Sequence, residues 1–319
     1  MAHASPLRQP DLFIVGAPKS GTTALHTHLG SHPQIVLPSQ KDRPFYASDL
    51  DFRRWRLSRA DYEAQLREGA DAPILGHSCV WYLYSHTAAE EIRRAAPDAK
   101  IVIMLRNPVD MLHAQHSQFL YNGNEDIADF GQALAAEPDR RAGRRVPRRA
   151  HFPQGLWYLD TARFGEQVER YLRVFGEGRV ATILYDDFRA DPDGTVAGVA
   201  RWLGADGVPL SGGVVNANRR VRSRSLQSFL MAPPPWLERA VHAVLPRSLH
   251  GRIAPWMIRR NIQERPREPV PAELRRRIAA DLAGDVSRLG ELVGRDLGDW
   301  CGDGPDGAGQ RVGVRRARA

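Results

Sequence analysis

A short segment rich in glycine and threonine near the N-terminus, GAPKSGTT at 16–23, has the composition of a phosphate-binding loop. Glycines allow the backbone to turn so tightly that successive N–H groups point at one anion. The segment follows an apolar run at 11–15, which predicts a buried strand, and leads into a predicted helix over 22–29. The positive end of such a helix adds to the field at the loop. This order predicts a phosphate site, and the alternative is an ordinary turn that contains a chance lysine.

The position of the lysine in this loop argues against a nucleoside triphosphatase. Loops that hold ATP or GTP read G-x-x-x-x-G-K-[ST], with a lysine directly after the second glycine to reach the β- and γ-phosphates. Here Thr22 follows Gly21, and the lysine is Lys19, inside the loop. A kinase or NTPase with an aberrant loop is one alternative, which preferential binding of Mg-ATP would favour.

Several further segments occur together with this loop. They are PKSGTT at 18–23, KDRPFYASDL at 41–50, WYLY at 81–84, LRNPVD at 105–110, and GRDL at 294–297 followed by Trp300. In this combination the sequence resembles the sulfotransferases that use 3′-phosphoadenosine 5′-phosphosulfate, over roughly the whole stretch from 11 to 300. The segment at 41–50 is similar to the K-E-P-H-F-F motif of bacterial and carbohydrate members of that family.

The resemblance implies an enzyme that moves a sulfuryl group in line from this donor to a hydroxyl, without a metal ion, and releases adenosine 3′,5′-bisphosphate. Charge develops on the bridging oxygen as the donor bond breaks, so a cation there stabilises the transition state more than the ground state. The resemblance gives this role to Lys19. It also implies that the other loop residues hold the 5′-phosphate, namely Pro18, Ser20, Gly21, Thr22 and Thr23.

Two residues are candidates for the general base that removes the proton of the acceptor hydroxyl. A glutamate after the lysine has this role in the family motif, and Asp42, one methylene shorter, stands at that position. Reach matters because proton transfer needs a hydrogen-bond distance of about 3 Å. His77, at the end of a predicted strand, is the alternative. Each also has a purely structural explanation, as a carboxylate that caps a helix or as a core histidine.

Arg106 follows a predicted buried strand, at the end where open α/β sheets bind their ligands. Its fixed charge and forked donors suit a terminal phosphate, and the resemblance implies that it holds the 3′-phosphate. The family places a serine eight residues later, where this sequence has Ala114. Ser117, one helical turn further, is one candidate for the missing contact. Arg222, in the basic run RRVRSR, is the other, unless that run is simply a solvated surface.

The elements that must position these residues alternate between strand and helix. Apolar runs predict buried strands at 11–15, 74–79, 100–105 and 179–185. Helical patterns separate them at 87–96, 109–121 and 161–175. This alternation predicts an α/β fold with a central parallel sheet flanked by helices.

The predicted organisation is a single sulfotransferase domain over 1–302. Its last part, 226–302, is a helical extension whose clearest helix is predicted at 271–292. The stretch 137–153 contains three arginine pairs and few apolar residues, which predicts a flexible loop. A glycine- and arginine-rich tail at 303–319 is predicted to be disordered.

The 319-residue chain has a formal net charge of +8 but only three lysines, which indicates coding bias rather than nucleic-acid binding. No helix-turn-helix, zinc-finger or RNA-binding aromatic pattern accompanies the charge, so we expect no nucleic-acid partner. A non-enzymatic basic binding protein is the second alternative. No apolar run approaches the length of about 18 residues that spans a membrane, and no apolar secretion signal begins the chain. These features predict a cytoplasmic bacterial enzyme.

The acceptor is predicted only as the hydroxyl of a small molecule, a glycolipid or a natural product. Five aromatic residues either line an apolar acceptor pocket or belong to the core: Trp81, Tyr82, Tyr84, Phe119 and Trp157. The helical C-terminal part is predicted to cover this pocket or to form a homodimer contact.

Overall fold

The computed structural model describes residues 7–205, 220–221, 262–263 and 268–302. Within them, five parallel strands form a central sheet in the order β2-β3-β1-β4-β5. These strands are β1 (Leu12–Gly16), β2 (Ile35–Val36), β3 (Ile74–Ser78), β4 (Lys100–Leu105) and β5 (Val180–Leu184). A separate antiparallel pair joins β6 (Arg220–Val221) and β7 (Ile262–Gln263). The predicted parallel α/β sheet is therefore confirmed.

Helices connect the strands, as parallel strands require. In chain order they are α1 (Thr22–Leu29), α2 (Arg59–Glu68), α3 (Ala88–Ala95), α4 (Pro108–Asn122), α5 (Phe130–Ala135), α6 (Glu137–Arg141), α7 (Tyr158–Thr161), α8 (Phe164–Phe175), α9 (Tyr185–Ala190), α10 (Pro192–Leu203) and α11 (Ala272–Val293). Short 3₁₀ turns occupy Arg53–Trp55, Pro153–Leu156, Glu177–Arg179 and Gly298–Cys301. Helix α11 confirms the helix predicted at 271–292. Within the described residues, none of the helices is both long enough and apolar enough to cross a bilayer.

The sheet lies between two helical layers because side chains alternate between its faces. In β1, Phe13 and Val15 face a core shared with α3, α8 and α11, whereas Leu12 and Ile14 face a second core shared with α1 and α10. All four side chains are fully buried. Burial on both faces explains why these strands read as continuous apolar runs.

The strand order predicts a crevice at the carboxyl end of β1. From β1 the chain crosses to β2 and β3 on one side, and then passes to β4 on the other side. Ile14 of β1 pairs with Ser78 of β3 and with Val102 of β4, so the three strands end at the same edge. Such a reversal opens a crevice between the loops that leave the neighbouring strands, where α/β proteins bind ligands.

The arginine-rich stretch 137–153 differs from the flexible loop that we predicted. It begins with helix α6, and the guanidinium of Arg140 is completely buried against Glu125, with Nη2 2.6 Å from Oε1. Glu125 also accepts hydrogen bonds from Tyr158 Oη at 2.8 Å and from two backbone N–H groups. A buried ion pair is tolerated when further hydrogen bonds engage the carboxylate in this way, and such pairing cannot be read from composition.

Most of the predicted helical extension before residue 268, and the tail at 303–319, lie outside the described residues. The division into a single domain with a C-terminal extension stays a prediction.

Candidate active site

The glycine- and threonine-rich segment forms the turn between β1 and α1. Gly21 has φ +88° and precedes the first residue of the helix. A Cβ atom there would lie 2.9 Å from the ring of Tyr185, so both the conformation and the space require glycine. Thr22 and Thr23 begin α1, where backbone N–H groups lack helical partners and attract anions.

Lys19 and Ser20 have different environments within this loop. Lys19 adopts the left-handed conformation, with φ 57°, and its Nζ lies 3.2 Å from Oε1 of Gln118 on α4. Ser20 is fully buried, and its hydroxyl donates to the carbonyl of Pro18 at 3.3 Å. Its side chain therefore stabilises the turn, whereas Lys19 faces a cavity.

Asp42 lies in the segment that follows β2 and reaches the same cavity beside the carboxyl end of β3. Its backbone N–H donates to the Ser78 carbonyl at 2.9 Å. Asp42 adopts the left-handed conformation, with φ 65°. Its Oδ1 accepts from the Val80 N–H at 3.3 Å. The backbone segment 78–80 thus holds both the main chain and the carboxylate of Asp42 beside the loop.

Lys41 is a site residue to which our sequence analysis gave no role. Its Nζ lies 2.8 Å from Oδ2 of Asp42 and donates to Oγ1 of Thr23 at 2.9 Å. This lysine therefore joins the candidate base to the phosphate loop. A signal was present, because two of the three lysines in the chain lie in the segments that carry the family resemblance.

Arg106 directly follows the carboxyl end of β4, next to the loop that follows β1. Its guanidinium lies over the ring of Tyr185, 4.9 Å from the centroid. Ser117 lies further along α4 and donates to the His113 carbonyl at 2.9 Å, while Ala114 lines the same wall. Arg222 lies outside the described residues, so its predicted role stays a prediction.

One cavity of about 870 Å³ collects most of the predicted residues. It is lined by Pro18, Lys19, Gly21, Thr22, Thr23, Asp42, Arg106 and Ser117. Of the five aromatic residues that we considered for an acceptor pocket, Trp81 and Phe119 line it. Tyr82, Tyr84 and Trp157 are not among its lining residues. Trp55, His151, Phe152 and Tyr185 line it as well, which the sequence alone did not indicate.

The structure does not bring His77 to this cavity. Side chains alternate along β3, so Ser78 faces His26 of α1 at 2.8 Å while His77 faces the opposite core. There its ring packs against Phe13, Tyr62 and Tyr82 at centroid distances of 5.4–6.0 Å. His77 was therefore wrong as a candidate base, because the structure buries it in an aromatic core away from the reacting groups.

Burial lowers the pKa of His77 to about 3, with a smaller contribution from the nearby His26. Since this folded-state value lies below the ordinary 6.5, the unfolded chain takes up the proton first as the pH falls. We expect His77→Leu to flatten the loss of stability between pH 6 and 4 by up to about 1.4 kcal/mol per pH unit. Urea unfolding across this pH range measures the effect. A slope in the His77 variant equal to that of the wild type would contradict the prediction.

Comparison with known proteins gives a consistent picture. A family model described as a sulfotransferase domain matches residues 9–223, more than half of the chain. The crystal structure of a sulfotransferase from Alicyclobacillus acidocaldarius superimposes with a TM-score of 0.66 at 27% identity, and covers 92% of this chain and 99% of that chain.

Curated relatives are similar over a shorter region. Human heparan sulfate glucosamine 3-O-sulfotransferase 6 is 25% identical over 204 residues, which cover 62% of this chain and 53% of that protein. The bifunctional heparan sulfate N-deacetylase/N-sulfotransferase 1 of Caenorhabditis briggsae is 23% identical over 204 residues, which cover 61% of this chain and 22% of that protein. The matched region thus spans about half or less of these relatives. With the matching family model and the shared fold, the chain belongs to the sulfotransferase domain family.

Proposed function

We propose that the protein transfers a sulfuryl group from 3′-phosphoadenosine 5′-phosphosulfate to the hydroxyl of a small-molecule acceptor. The observation that carries the proposal is the meeting of the phosphate loop, Lys19 and Arg106 in one cavity, at the adjacent carboxyl ends of β1 and β4. A donor with phosphate at both ends of a nucleoside needs two cationic sites, and these elements supply them.

The residues present fit such a donor. Gly21 lacks a Cβ, which lets the ring of Tyr185 pack closely against the turn of the loop. Thr22 and Thr23 add hydroxyl groups at the amino end of α1. Arg106 supplies the forked donors that match a phosphate. When bound, the donor supplies an activated sulfuryl group whose S–O bond to the phosphate breaks as a new bond to the acceptor oxygen forms.

Three side chains around this site have different roles in the proposed reaction. Lys19 stabilises the negative charge that grows on the phosphate oxygen as it leaves, which lowers the barrier because the charge is largest in the transition state. Asp42 accepts the proton of the acceptor hydroxyl as that oxygen attacks sulfur. Lys41 keeps the Asp42 carboxylate oriented through their 2.8 Å ion pair and fixes Thr23 of the loop.

Calorimetric titration with adenosine 3′,5′-bisphosphate tests the proposal. We expect one bisphosphate to bind per chain in preference to Mg-ATP. Loss of Arg106 in Arg106→Ala should weaken this binding about 10- to 100-fold, since hydrogen bonds to charged groups contribute about 1.5–3 kcal/mol. Better binding of Mg-ATP, or the absence of nucleotide binding, would refute the proposed donor.

Arg179→Ala provides the matched control for this experiment. Arg179 immediately precedes β5, at the amino edge of the sheet, and pairs with Asp98 at 2.9 Å. Its removal takes away the same charge at the edge opposite Arg106. We expect the affinity for the bisphosphate to stay at the wild-type value, and an equal loss in both variants would indicate a non-specific charge effect.

A further inference from the structure

One part of the cavity wall is aromatic rather than cationic. We call it the aromatic recess, and it consists of Trp55, Trp81, Phe119, Asn124, His151 and Phe152. The rings of Trp81 and Phe152 meet at 4.5 Å with an interplanar angle of 61°, and those of Trp55 and His151 at 5.0 Å and 73°. Such edge-to-face contacts build a wall that presents both ring faces and ring edges to a ligand.

The aromatic recess adjoins the reacting groups through the backbone. Asp42 Oδ1 accepts from the N–H of Val80, the residue directly before Trp81. Lys19 contacts Gln118, the residue directly before Phe119. All of these residues line one cavity, so a molecule in the recess shares that cavity with the candidate base and the candidate catalytic lysine, as an acceptor must.

Two polar residues give the aromatic recess a fixed hydrogen-bonding edge. The backbone N–H of His151 donates to Asn124 Oδ1 at 3.0 Å, and the Asn124 amide nitrogen lies 3.4 Å from His151 Nε2. Asn124 is buried and directly precedes Glu125, which the ion pair with Arg140 holds in place. The arginine-rich stretch, through the ion pair of Arg140 with Glu125, thus helps to hold Asn124 in the wall of the recess.

The charge of the wall indicates what the aromatic recess accepts. Among the described residues that line the cavity, the lysines and arginines lie outside the recess. Lys19 belongs to the loop, Lys41 precedes Asp42, Arg106 follows β4, and Arg189 is on α9. The recess itself contributes neither lysine nor arginine. Burial and the nearby Arg53 lower the pKa of His151, so its ring is neutral near pH 7. Arg53 is paired with Asp51, whose Oδ2 lies 3.5 Å from its Nε, so a polyanionic glycan would find little uncompensated positive charge there.

We propose that the aromatic recess binds an uncharged acceptor whose hydroxyl is carried on, or directly beside, an aromatic ring. The ring of the acceptor packs against Trp55, Trp81 and Phe152, and His151 supplies a hydrogen bond that turns the hydroxyl toward Asp42. The inference rests on the proposed sulfuryl transfer and specifies its acceptor. It separates this chain from the relatives that are named for heparan sulfate.

The test is calorimetric titration of the full chain with 2-naphthol, with and without adenosine 3′,5′-bisphosphate, beside titration with a heparan sulfate hexasaccharide. We expect 2-naphthol to bind once per chain and the hexasaccharide not to compete. Trp55→Ala should weaken 2-naphthol binding about tenfold or more, as loss of a central aromatic contact does. His151→Ala should weaken it about 2- to 10-fold.

Trp202→Ala is the matched control, because Trp202 lies on α10 against Lys100 and does not line the cavity. It should bind 2-naphthol like the wild type, and all three variants should keep the wild-type affinity for the bisphosphate. A chain that binds the bisphosphate but not 2-naphthol, or one in which the hexasaccharide displaces 2-naphthol, overturns the acceptor inference and leaves the proposed donor intact. Unchanged 2-naphthol affinity in Trp55→Ala overturns it as well. Failure of bisphosphate binding alone counts against the donor.

Discussion

Lys19→Ala is expected to lower kcat about 100- to 1,000-fold, which is the effect of removing one group that stabilises charge in a transition state. The affinity for adenosine 3′,5′-bisphosphate should fall too, by about 10- to 100-fold as for a lost hydrogen bond to a charged group, because the leaving oxygen carries its full charge in this product. The lysine reaches the cavity from a left-handed position in the loop, with Nζ 3.2 Å from Gln118. Single-turnover sulfation of 2-naphthol, with product quantified by mass spectrometry, measures the loss.

Lys100→Ala is the control for this prediction. Lys100 begins β4, at the edge of the sheet opposite the cavity, where its ammonium lies 5.1 Å from the ring centroid of Trp202. We expect this variant to turn over like the wild type. If Lys19→Ala turned over as fast as Lys100→Ala, Lys19 would have no part in the chemistry. The proposed mechanism would then lack the cation that stabilises the leaving phosphate oxygen.

Asp42→Asn should lower kcat about 100- to 10,000-fold, which is the usual contribution of a general base. Asparagine is the informative substitution because it tolerates the left-handed conformation almost as well as aspartate, and it retains an oxygen that can accept the Val80 N–H. The amide cannot take up a proton, so the loss reports on proton transfer rather than on loop conformation. Bisphosphate affinity, measured in the same variant, should change little.

Two further variants make this prediction decisive. Asp71→Asn removes a carboxylate from an exposed loop and should leave turnover unchanged. His77→Leu should also remain active, since its ring lies in the aromatic core. Full activity in Asp42→Asn together with an inactive but folded His77→Leu would reverse our assignment of the base.

The sheet and the phosphate loop were predictable because each has a strong local signal. A strand buried on both faces must be apolar at nearly every position, as in β1 and β4, and tight turns at anions require residues such as Gly21. These sequence signals do not depend on which residues pack against the strands or the turn. The alternation of strands and helices then leaves few alternatives to a parallel sheet.

The parts that we missed depend on contacts between distant residues. Whether His77 or Ser78 faces α1 is determined by the register of β3, which periodicity cannot give for a strand that is apolar on both sides. The ordered stretch that contains Arg140 depends on Glu125, fifteen positions earlier, and on Tyr158. Lys41 is a different case, since its position was visible in the sequence but its two partners were not.

The scarcity of lysine gives this cavity a practical property. The chain carries three side-chain amines, and two of them, Lys19 and Lys41, face the proposed donor site, while Lys100 lies at the far edge of the sheet. An acylating reagent that attacks amines and ignores guanidinium groups therefore finds two of its three side-chain targets at the cavity. Lys100 provides an internal reference in every labelled sample, so the ratio of acylation reports directly on occupancy of the cleft. The same bias offers covalent inhibitors a nucleophile at the centre of the proposed reaction.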